Sequence, residues 1–114
     1  MCGICGVINL SSTVPIDVET LKSMVSAIRH RGPDGFGVYL DEGAGLGHAR
    51  LSIVDVAGGD QPMTNEDGRF WIVFNGEIYN HVPLREELKH RGHRFSTRSD
   101  TEVILHLYEE EGPR

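Results

Sequence analysis

Residues 1–6 read MCGICG, and the apolar residues after them continue a strand pattern through residue 10. Methionine aminopeptidase normally removes Met1 when the second residue is small, and Cys2 would then carry a free α-amino group beside its thiol. An α-amino group titrates near ~7.7–8.0 and a thiol near ~8.5, so the amine can accept the thiol proton close to neutral pH. Cys2 is therefore a candidate N-terminal nucleophile that supplies its own base. The alternative is a small apolar residue packed in the first strand.

The composition limits the classes of protein to which the chain can belong. Its 114 residues are enough for one domain with a core. The net charge of −6 and the lack of a basic cluster argue against nucleic acid as a partner. No apolar run approaches the ~18 residues of a membrane span, and no signal-peptide pattern is present. With only two cysteines, we expect a cytoplasmic protein that does not bind membranes.

Hydrophobic periodicity and turn residues predict an α+β protein with helices layered on antiparallel strands. Asp17 is a predicted N-cap, because apolar residues recur after it at helical spacing. Residues 75–76 (NG) are typical of a tight type I′ hairpin turn, and residues 99–102 (SDTE) form a capping-box pattern. The predicted strands are 3–10, 36–40, 46–54, 70–74 and 94–97, and the predicted helices are 18–30, 82–91 and a third that begins at the capping box with Val103, Ile104, Leu107 and Tyr108 inward.

Several polar residues are candidates for a binding site. Arg50 lies in an apolar strand segment, where its planar guanidinium could bind a carboxylate or could simply reach solvent. The Asn75 amide and the Gly76 N–H could stabilise one oxyanion, or could form only the turn. Glu77 and Asp100 could each bind an ammonium group. The alternatives are a solvated turn residue for Glu77 and a helix-dipole contact for Asp100.

A metal site is a competing interpretation. Cys2 and Cys5 have a Cys-x-x-Cys spacing, and His90 and His93 could supply two more ligands. However, Cys5 belongs to an apolar strand pattern, and zinc would consume the thiol of Cys2. We therefore expect no metal ligand in the site, and a non-catalytic zinc-binding or structural module stays an alternative function.

Five motifs follow one another along the chain: residues 2–6 (CGICG), 31–34 (RGPD), 48–55 (HARLSIVD), 74–80 (FNGEIYN) and 99–102 (SDTE). Together they resemble the N-terminal glutaminase domain of glutamine-hydrolysing asparagine synthetase, a class II glutamine amidotransferase. The resemblance covers essentially the whole chain, and five ordered motifs are far more specific than any single one. It implies the N-terminal-nucleophile hydrolase fold, an α/β/β/α sandwich of antiparallel sheets, here truncated.

The resemblance also implies catalytic roles. Cys2 would attack the side-chain amide carbon of L-glutamine, and its α-amino group would pass the thiol proton to the departing ammonia. The Asn75 amide and the Gly76 N–H would stabilise the oxyanion. Water would then hydrolyse the thioester to glutamate. If Met1 stayed attached, the Cys2 nitrogen would be an amide and this mechanism would fail.

Substrate binding is implied for three charged residues. Arg50 would pair with the α-carboxylate of glutamine, and Glu77 and Asp100 would contact its α-ammonium group. One cation and two anions complement the charges of the substrate, which supports the assignment independently of the resemblance.

The family's domain continues beyond residue 114 and is joined to a synthetase domain that uses ATP and Mg²⁺. We therefore expect residues 1–114 to be the N-terminal part of a glutamine amidotransferase type 2 domain, with the remaining strands and the synthetase domain absent. The fragment would be at most a glutaminase without a cofactor, whereas the full-length protein would be an ATP-dependent carbon–nitrogen ligase. Expected partners are L-glutamine, the synthetase domain and a second copy in a homodimer. An alternative is an amidotransferase with another ammonia acceptor.

Overall fold

Helices and two small antiparallel sheets make up the chain, which confirms the α+β class. A computed structural model describes residues 2–10, 14–51 and 59–113. Within these ranges the elements are β1 (Gly3–Ile8), α1 (Val18–Ala27), a 3₁₀ turn (Arg29–Arg31), β2 (Gly35–Leu40), β3 (Ala44–Arg50), β4 (Met63–Thr64), β5 (Trp71–Ile72), α2 (His81–His90) and α3 (Asp100–Glu111).

The larger sheet has β3 at its centre, paired antiparallel with β1 on one side and β2 on the other. Helix α1 packs on this sheet, and its buried residues are Leu21 and Val25. Their spacing of four residues places both on the inner face of the helix, as the periodicity predicts. The strand predicted at 46–54 begins earlier, at Ala44, and its last residues lie outside the described ranges.

The ends of α1 are set by capping. The Asp17 carboxylate accepts a hydrogen bond from the Glu19 N–H at 3.0 Å, which confirms Asp17 as the N-cap. The helix ends at Ala27 rather than at residue 30, and the chain continues as a 3₁₀ turn as far as Gly32. The prediction of the helix is therefore confirmed, with its last turn wound more tightly than expected.

Close contact between α1 and the sheet requires a glycine in β3. A Cβ atom on Gly47 would lie 2.6 Å from both the Cys5 sulfur and a methyl carbon of Val25. Such distances are too short for any side chain, so α1 can approach β1 and β3 only because position 47 has none.

The second region combines α2, α3 and the two-stranded sheet of β4 and β5. Its buried apolar residues are Met63, Leu88, Val103 and Leu105. The expected inward face of α3 is partly wrong: Val103 is buried, but Tyr108 is 42% exposed, and Ile104 and Leu107 are only half-buried. Helix α3 instead buries two titratable residues, Glu102 and His106.

Two predicted strands are shortened or absent in the structure, and side-chain oxygens accept hydrogen bonds from their backbone N–H groups. Only Trp71–Ile72 pairs in the strand predicted at 70–74, and the Phe74 N–H donates to the Gln61 side chain at 2.6 Å. No strand forms at residues 94–97, because the N–H groups of Ser96 and Thr97 donate to the Glu102 carboxylate at 2.9 and 2.7 Å. Both segments had the composition of strands, but tertiary acceptors satisfied their donors.

The type I′ hairpin predicted at residues 75–76 is wrong. That turn needs positive φ at both central residues, whereas the described glycines with positive φ are Gly68, Gly92 and Gly112 and do not include Gly76. Helix α2 follows at His81–His90, close to the predicted 82–91.

The capping box at residues 99–102 is half confirmed. The Ser99 hydroxyl oxygen accepts a hydrogen bond from the Thr101 N–H at 3.2 Å, so Ser99 is the N-cap of α3. The Glu102 carboxylate, however, turns to residues 96 and 97 instead of returning to the Ser99 N–H. None of the helices in the described ranges has the length and apolarity needed to cross a lipid bilayer.

Candidate active site

Cys2 lies directly before β1 and beside the end of β3. The register of the sheet pairs Gly3 with Ala49, so Cys2 comes next to the residues that leave β3. Its sulfur accepts a hydrogen bond from the Leu51 N–H at 3.2 Å and lies 3.6 Å from the Leu51 carbonyl oxygen. The Cys2 carbonyl accepts a hydrogen bond from Arg31 Nε at 3.2 Å. Backbone pairing and these contacts together hold the half-exposed thiol at the end of the sheet where β1 begins.

Arg50 is the last residue of β3 and is buried, with 7% of its surface exposed. The alternative of a strand arginine that reaches solvent is therefore wrong. Its guanidinium donates to the Asp60 carboxylate at 2.7 Å, while the Asp60 side chain itself is 89% exposed. The buried guanidinium of Arg50 is thus paired with a carboxylate that lies at the protein surface.

A cleft of about 260 Å³ opens beside this ion pair, and its walls include Gly37, His48, Arg50 and Asp60. Gly37 allows the backbone of Gln61 to approach this wall of the cleft, because a Cβ atom at position 37 would lie 2.1 Å from the Gln61 carbonyl oxygen. The cleft therefore combines one buried cation with a backbone wall, which is suited to a small molecule that carries a carboxylate.

Burial shifts the pKa of two groups on the strands of the larger sheet, His48 on β3 and Cys5 on β1. Burial lowers the pKa of His48, the positive charge of Arg50 lowers it further, and the backbone of Phe74 opposes both effects. His48 is thus held neutral beside the guanidinium. Burial also raises the pKa of the Cys5 thiol, which keeps Cys5 protonated and makes it a poor nucleophile.

The predicted oxyanion residues lie on a separate, exposed segment. Asn75, Gly76 and Glu77 are all exposed and follow the short strand β5. Asp100, at the start of α3, accepts a hydrogen bond from the Ile78 N–H at 2.8 Å. This contact fixes the chain directly after Glu77 against α3, so Glu77 and Asp100 lie in neighbouring parts of the structure.

The structure therefore brings the predicted residues together in two groups. Cys2 and Arg50 lie at the same end of the larger sheet, where β1 begins and β3 finishes. The 75–77 segment and Asp100 form the second group. Gln61 connects the groups, since the segment that borders the Arg50 cleft also bonds Phe74 and Thr101 through this side chain. Among the described residues, no hydrogen bond joins Cys2 directly to the second group.

The sequence interpretation missed Asp60, Gln61 and the part played by His48. Asp60 and Gln61 fall in a stretch that composition indicates to be a polar loop, and nothing in their spacing distinguishes them from solvated residues. His48 stands two residues before Arg50 in a strand. The period-two alternation of a strand could have placed both side chains on one face.

The alternative zinc site is not assembled in the part of the chain that the structure describes, since its four proposed ligands do not come together there: Cys2, Cys5, His90 and His93. His93 belongs instead to a group with Glu66, His106 and Glu109, away from the candidate site.

Comparison with known proteins identifies the family. The glutamine amidotransferase domain family matches residues 1–114. The chain belongs to this family.

Several curated relatives carry the name of glutamine-hydrolyzing asparagine synthetases. The chain is 51% identical over 111 residues to glutamine-hydrolyzing asparagine synthetase 1 of Bacillus subtilis, covering 95% of this chain and 17% of the relative. It is 46% identical over 114 residues to synthetase 2 of the same organism, covering 98% and 15%. Synthetase 3 of Arabidopsis thaliana is 47% identical over 112 residues, covering 98% and 19%. The chain thus spans less than a fifth of these relatives, and their names do not favour the alternative functions.

Proposed function

We propose that this glutamine amidotransferase domain hydrolyses L-glutamine to glutamate and ammonia and supplies the nitrogen for asparagine synthesis. The observation that carries the proposal is that the Cys2 thiol and the buried Arg50 guanidinium lie at the same end of the larger sheet, where β1 begins and β3 finishes. The names of the relatives support glutamine as the amido donor and asparagine as the product.

In the proposed reaction, removal of Met1 frees the α-amino group of Cys2, which takes the proton from the thiol. The thiolate attacks the side-chain amide carbon, and the carbonyl electrons move to the oxygen. Asn75 and Gly76 donate hydrogen bonds to this oxyanion. When the carbonyl re-forms, the carbon–nitrogen bond breaks and ammonia leaves with the proton that the amine held. Water then attacks the thioester, which releases glutamate and returns the thiol.

Three charged residues bind the amino-acid end of the substrate in this proposal. The α-carboxylate displaces Asp60 from Arg50, an exchange favoured by the exposure of the Asp60 side chain. The α-ammonium group lies toward Glu77 and Asp100. Asp100 already accepts the Ile78 N–H through one oxygen, which orients the other oxygen without consuming the carboxylate.

The wider architecture belongs to the same proposal. The two antiparallel sheets would be parts of an α/β/β/α sandwich of the N-terminal-nucleophile hydrolase type. The domain would act with a synthetase domain that binds ATP and Mg²⁺, in a cytoplasmic protein that can form a homodimer.

Labelling with a glutamine-like diazoketone tests the proposal, because such reagents alkylate the nucleophile of a glutaminase. We expect one adduct on Cys2 by intact mass and peptide mapping, complete loss of glutamate release, and protection by excess L-glutamine. Intact mass also reports whether Met1 has been removed.

Cys5 provides the matched control, since its thiol is three residues away and kept protonated by burial. Cys5→Ala should be labelled and active, whereas Cys2→Ala should be neither. Activity that survives Cys2→Ala would refute the thioester mechanism, and an adduct on Cys5 that glutamine does not prevent would refute the assigned site.

A further inference from the structure

Outside the candidate active site, four side chains from three segments converge on one point. We call them the His–Glu cluster: Glu66 follows β4, His93 follows α2, and His106 and Glu109 lie on α3. One potential ligand atom from each residue lies within 4.8 Å of the other three. The glutaminase reaction proposed above uses none of them.

The hydrogen bonds of the two imidazoles determine which ring nitrogens face the centre of the cluster. His106 Nε2 lies 3.1 Å from a Glu102 oxygen, and His93 Nε2 lies 2.7 Å from a Glu110 oxygen. A carboxylate only accepts, so the shortest carboxylate contact of each ring assigns the single hydrogen of a neutral imidazole to Nε2. Each Nδ1 then presents a lone pair, and these two nitrogens face one another at 3.1 Å. Two lone pairs at this distance repel unless a cation or a proton lies between them.

Several distances within the cluster are close to those between the ligand atoms of a tetrahedral ion. Metal bonds of ~2.0–2.1 Å to nitrogen and oxygen place tetrahedral ligand atoms about 3.3 Å apart. The His106 Nδ1 atom lies 3.4 Å from a Glu66 oxygen and 3.3 Å from a Glu109 oxygen. The His93 Nδ1 atom lies 3.7 Å from the other Glu109 oxygen. All four ligand atoms lie within 4.8 Å of one another, so an ion would draw the more distant pairs together by up to about 1.5 Å.

Charge and burial also favour a cation. His106 is fully buried, and the His93 side chain is only 9% exposed. Four carboxylates surround the two rings: those of Glu66, Glu102, Glu109 and Glu110. Arg91 approaches only the outer edge of this group, at 3.7 Å from Glu110. Glu102 is buried and the other three carboxylates are partly exposed, so their negative charges concentrate around two imidazoles that are themselves largely shielded from solvent and favour a positive partner there.

We propose that Glu66, His93, His106 and Glu109 bind a divalent transition-metal ion, and that Zn²⁺ fits this donor set best. Two imidazole nitrogens and two carboxylate oxygens are ligands that Zn²⁺ prefers, and Glu102 and Glu110 would act as the outer carboxylates that orient metal-bound histidines. The ion would join the turn after β4, the segment after α2 and helix α3. Its role is therefore structural, in a region that lacks an extended strand ladder.

The rival occupant is a proton shared between the two rings. Burial disfavours a charge on His106, but its hydrogen bond to Glu102 and the charges of Glu66, Glu102 and Glu109 raise its pKa overall. A proton would satisfy the facing nitrogens without any metal, so the experiment must separate these two cations.

Calorimetric titration with Zn²⁺ provides the test, on protein stripped of metal with a chelator. Both cysteines are replaced by serine in this background, so that thiolates cannot bind the ion. We expect one Zn²⁺ per chain and a rise in Tm on binding. Co²⁺ should give the intense visible absorption of a tetrahedral site.

Variants at the less buried ligands keep the result independent of folding. His93→Ala and Glu66→Gln should weaken Zn²⁺ binding by more than ~100-fold, and Glu110→Gln by ~10-fold as an outer partner. His90→Ala is the matched control, because His90 is exposed on α2, three residues before His93, and it should bind as the parent does. Absence of Zn²⁺ binding in the serine background, with a shared proton seen by NMR, would overturn the proposal. Zn²⁺ binding that His93→Ala leaves unchanged would overturn it equally.

Discussion

The two halves of this molecule hold their functional side chains by different means. In the larger sheet, Cys2 and Arg50 are placed by backbone pairing between β1, β3 and β2. In the region of α2 and α3, backbone pairing is sparse, and a side-chain network around Glu102 and His106 replaces it. Backbone pairing fixes positions whatever the side chains are, whereas a side-chain network depends on a few residues. The first region should therefore tolerate changes away from close contacts, and the second should fail when one buried charge is altered.

The largest expected effect is on the KM for glutamine, and it should separate two arginines, one from each half of the molecule. Arg50→Ala should raise the KM for glutamine by ~100-fold with a smaller change in kcat, because a charge-assisted pair with the substrate carboxylate is lost. Arg85 donates to the Ser99 carbonyl at 3.1 Å and lies over the Phe95 ring. Arg85→Ala should lower Tm and leave KM unchanged. Steady-state kinetics and thermal melts check both variants, and an unchanged KM for Arg50→Ala would remove Arg50 from the binding site.

The next effect concerns the contact between α1 and the sheet. Gly47→Ala should lower the free energy of unfolding by about 2 kcal/mol, because its methyl group would overlap Cys5 and Val25. Gly43→Ala is the matched control, since its Cβ would meet only an Asp41 oxygen at 3.9 Å. Urea unfolding measures both. Equal stability of the two variants would show that α1 can move away from the sheet at little cost.

A smaller loss is expected from a neutral replacement in the second half. Glu102→Gln keeps the shape of the side chain but removes the charge that accepts hydrogen bonds from Ser96, Thr97 and His106. We expect a loss of about 1.5 kcal/mol in the free energy of unfolding, measured in a chelator so that no metal contributes. Glu111→Gln, on the exposed end of α3, should change it little. A harmless Glu102→Gln would mean that shape, rather than charge, orders this region.

The smallest effect is a pH dependence that arises in the larger sheet. The pKa of His48 is lowered in the folded protein by burial and by Arg50, so the unfolded chain binds the proton more readily. Stability from neutral His48 is therefore complete above its unfolded pKa, near ~6.5, and declines as the pH falls toward the lower folded value. The raised pKa of His106 gives the opposite dependence in the parent and in the variants alike. The slope therefore appears as the difference between parent and His48→Gln in urea unfolding from pH 7.5 to 5.5, and the exposed His30→Gln should show no such difference. Equal slopes in the parent and His48→Gln would assign the dependence to other groups.

The sequence alone determined the features that depend on local chemistry. The apolar periodicity after Asp17 predicted α1 and its cap, and the helix predicted at 82–91 agrees with α2 to within one residue at each end. Residues 2–6 and 48–55 supplied a candidate nucleophile and a candidate carboxylate-binding arginine, and the order of the five motifs indicated the family. These signals are local because caps, helical stripes and turn residues act over a few neighbouring positions.

Only the tertiary structure decided where several backbone N–H groups and charged side chains find their partners. Residues 94–97 have a strand-like composition, yet the Glu102 carboxylate takes two of their donors. Arg50 could equally have reached solvent until the fold placed Asp60 opposite it. The His–Glu cluster is invisible in the sequence, because its four residues come from segments whose proximity depends on how α2, α3 and β4 pack. A pattern along the chain reports spacing within one element, and contacts between elements arise only when their faces are buried together.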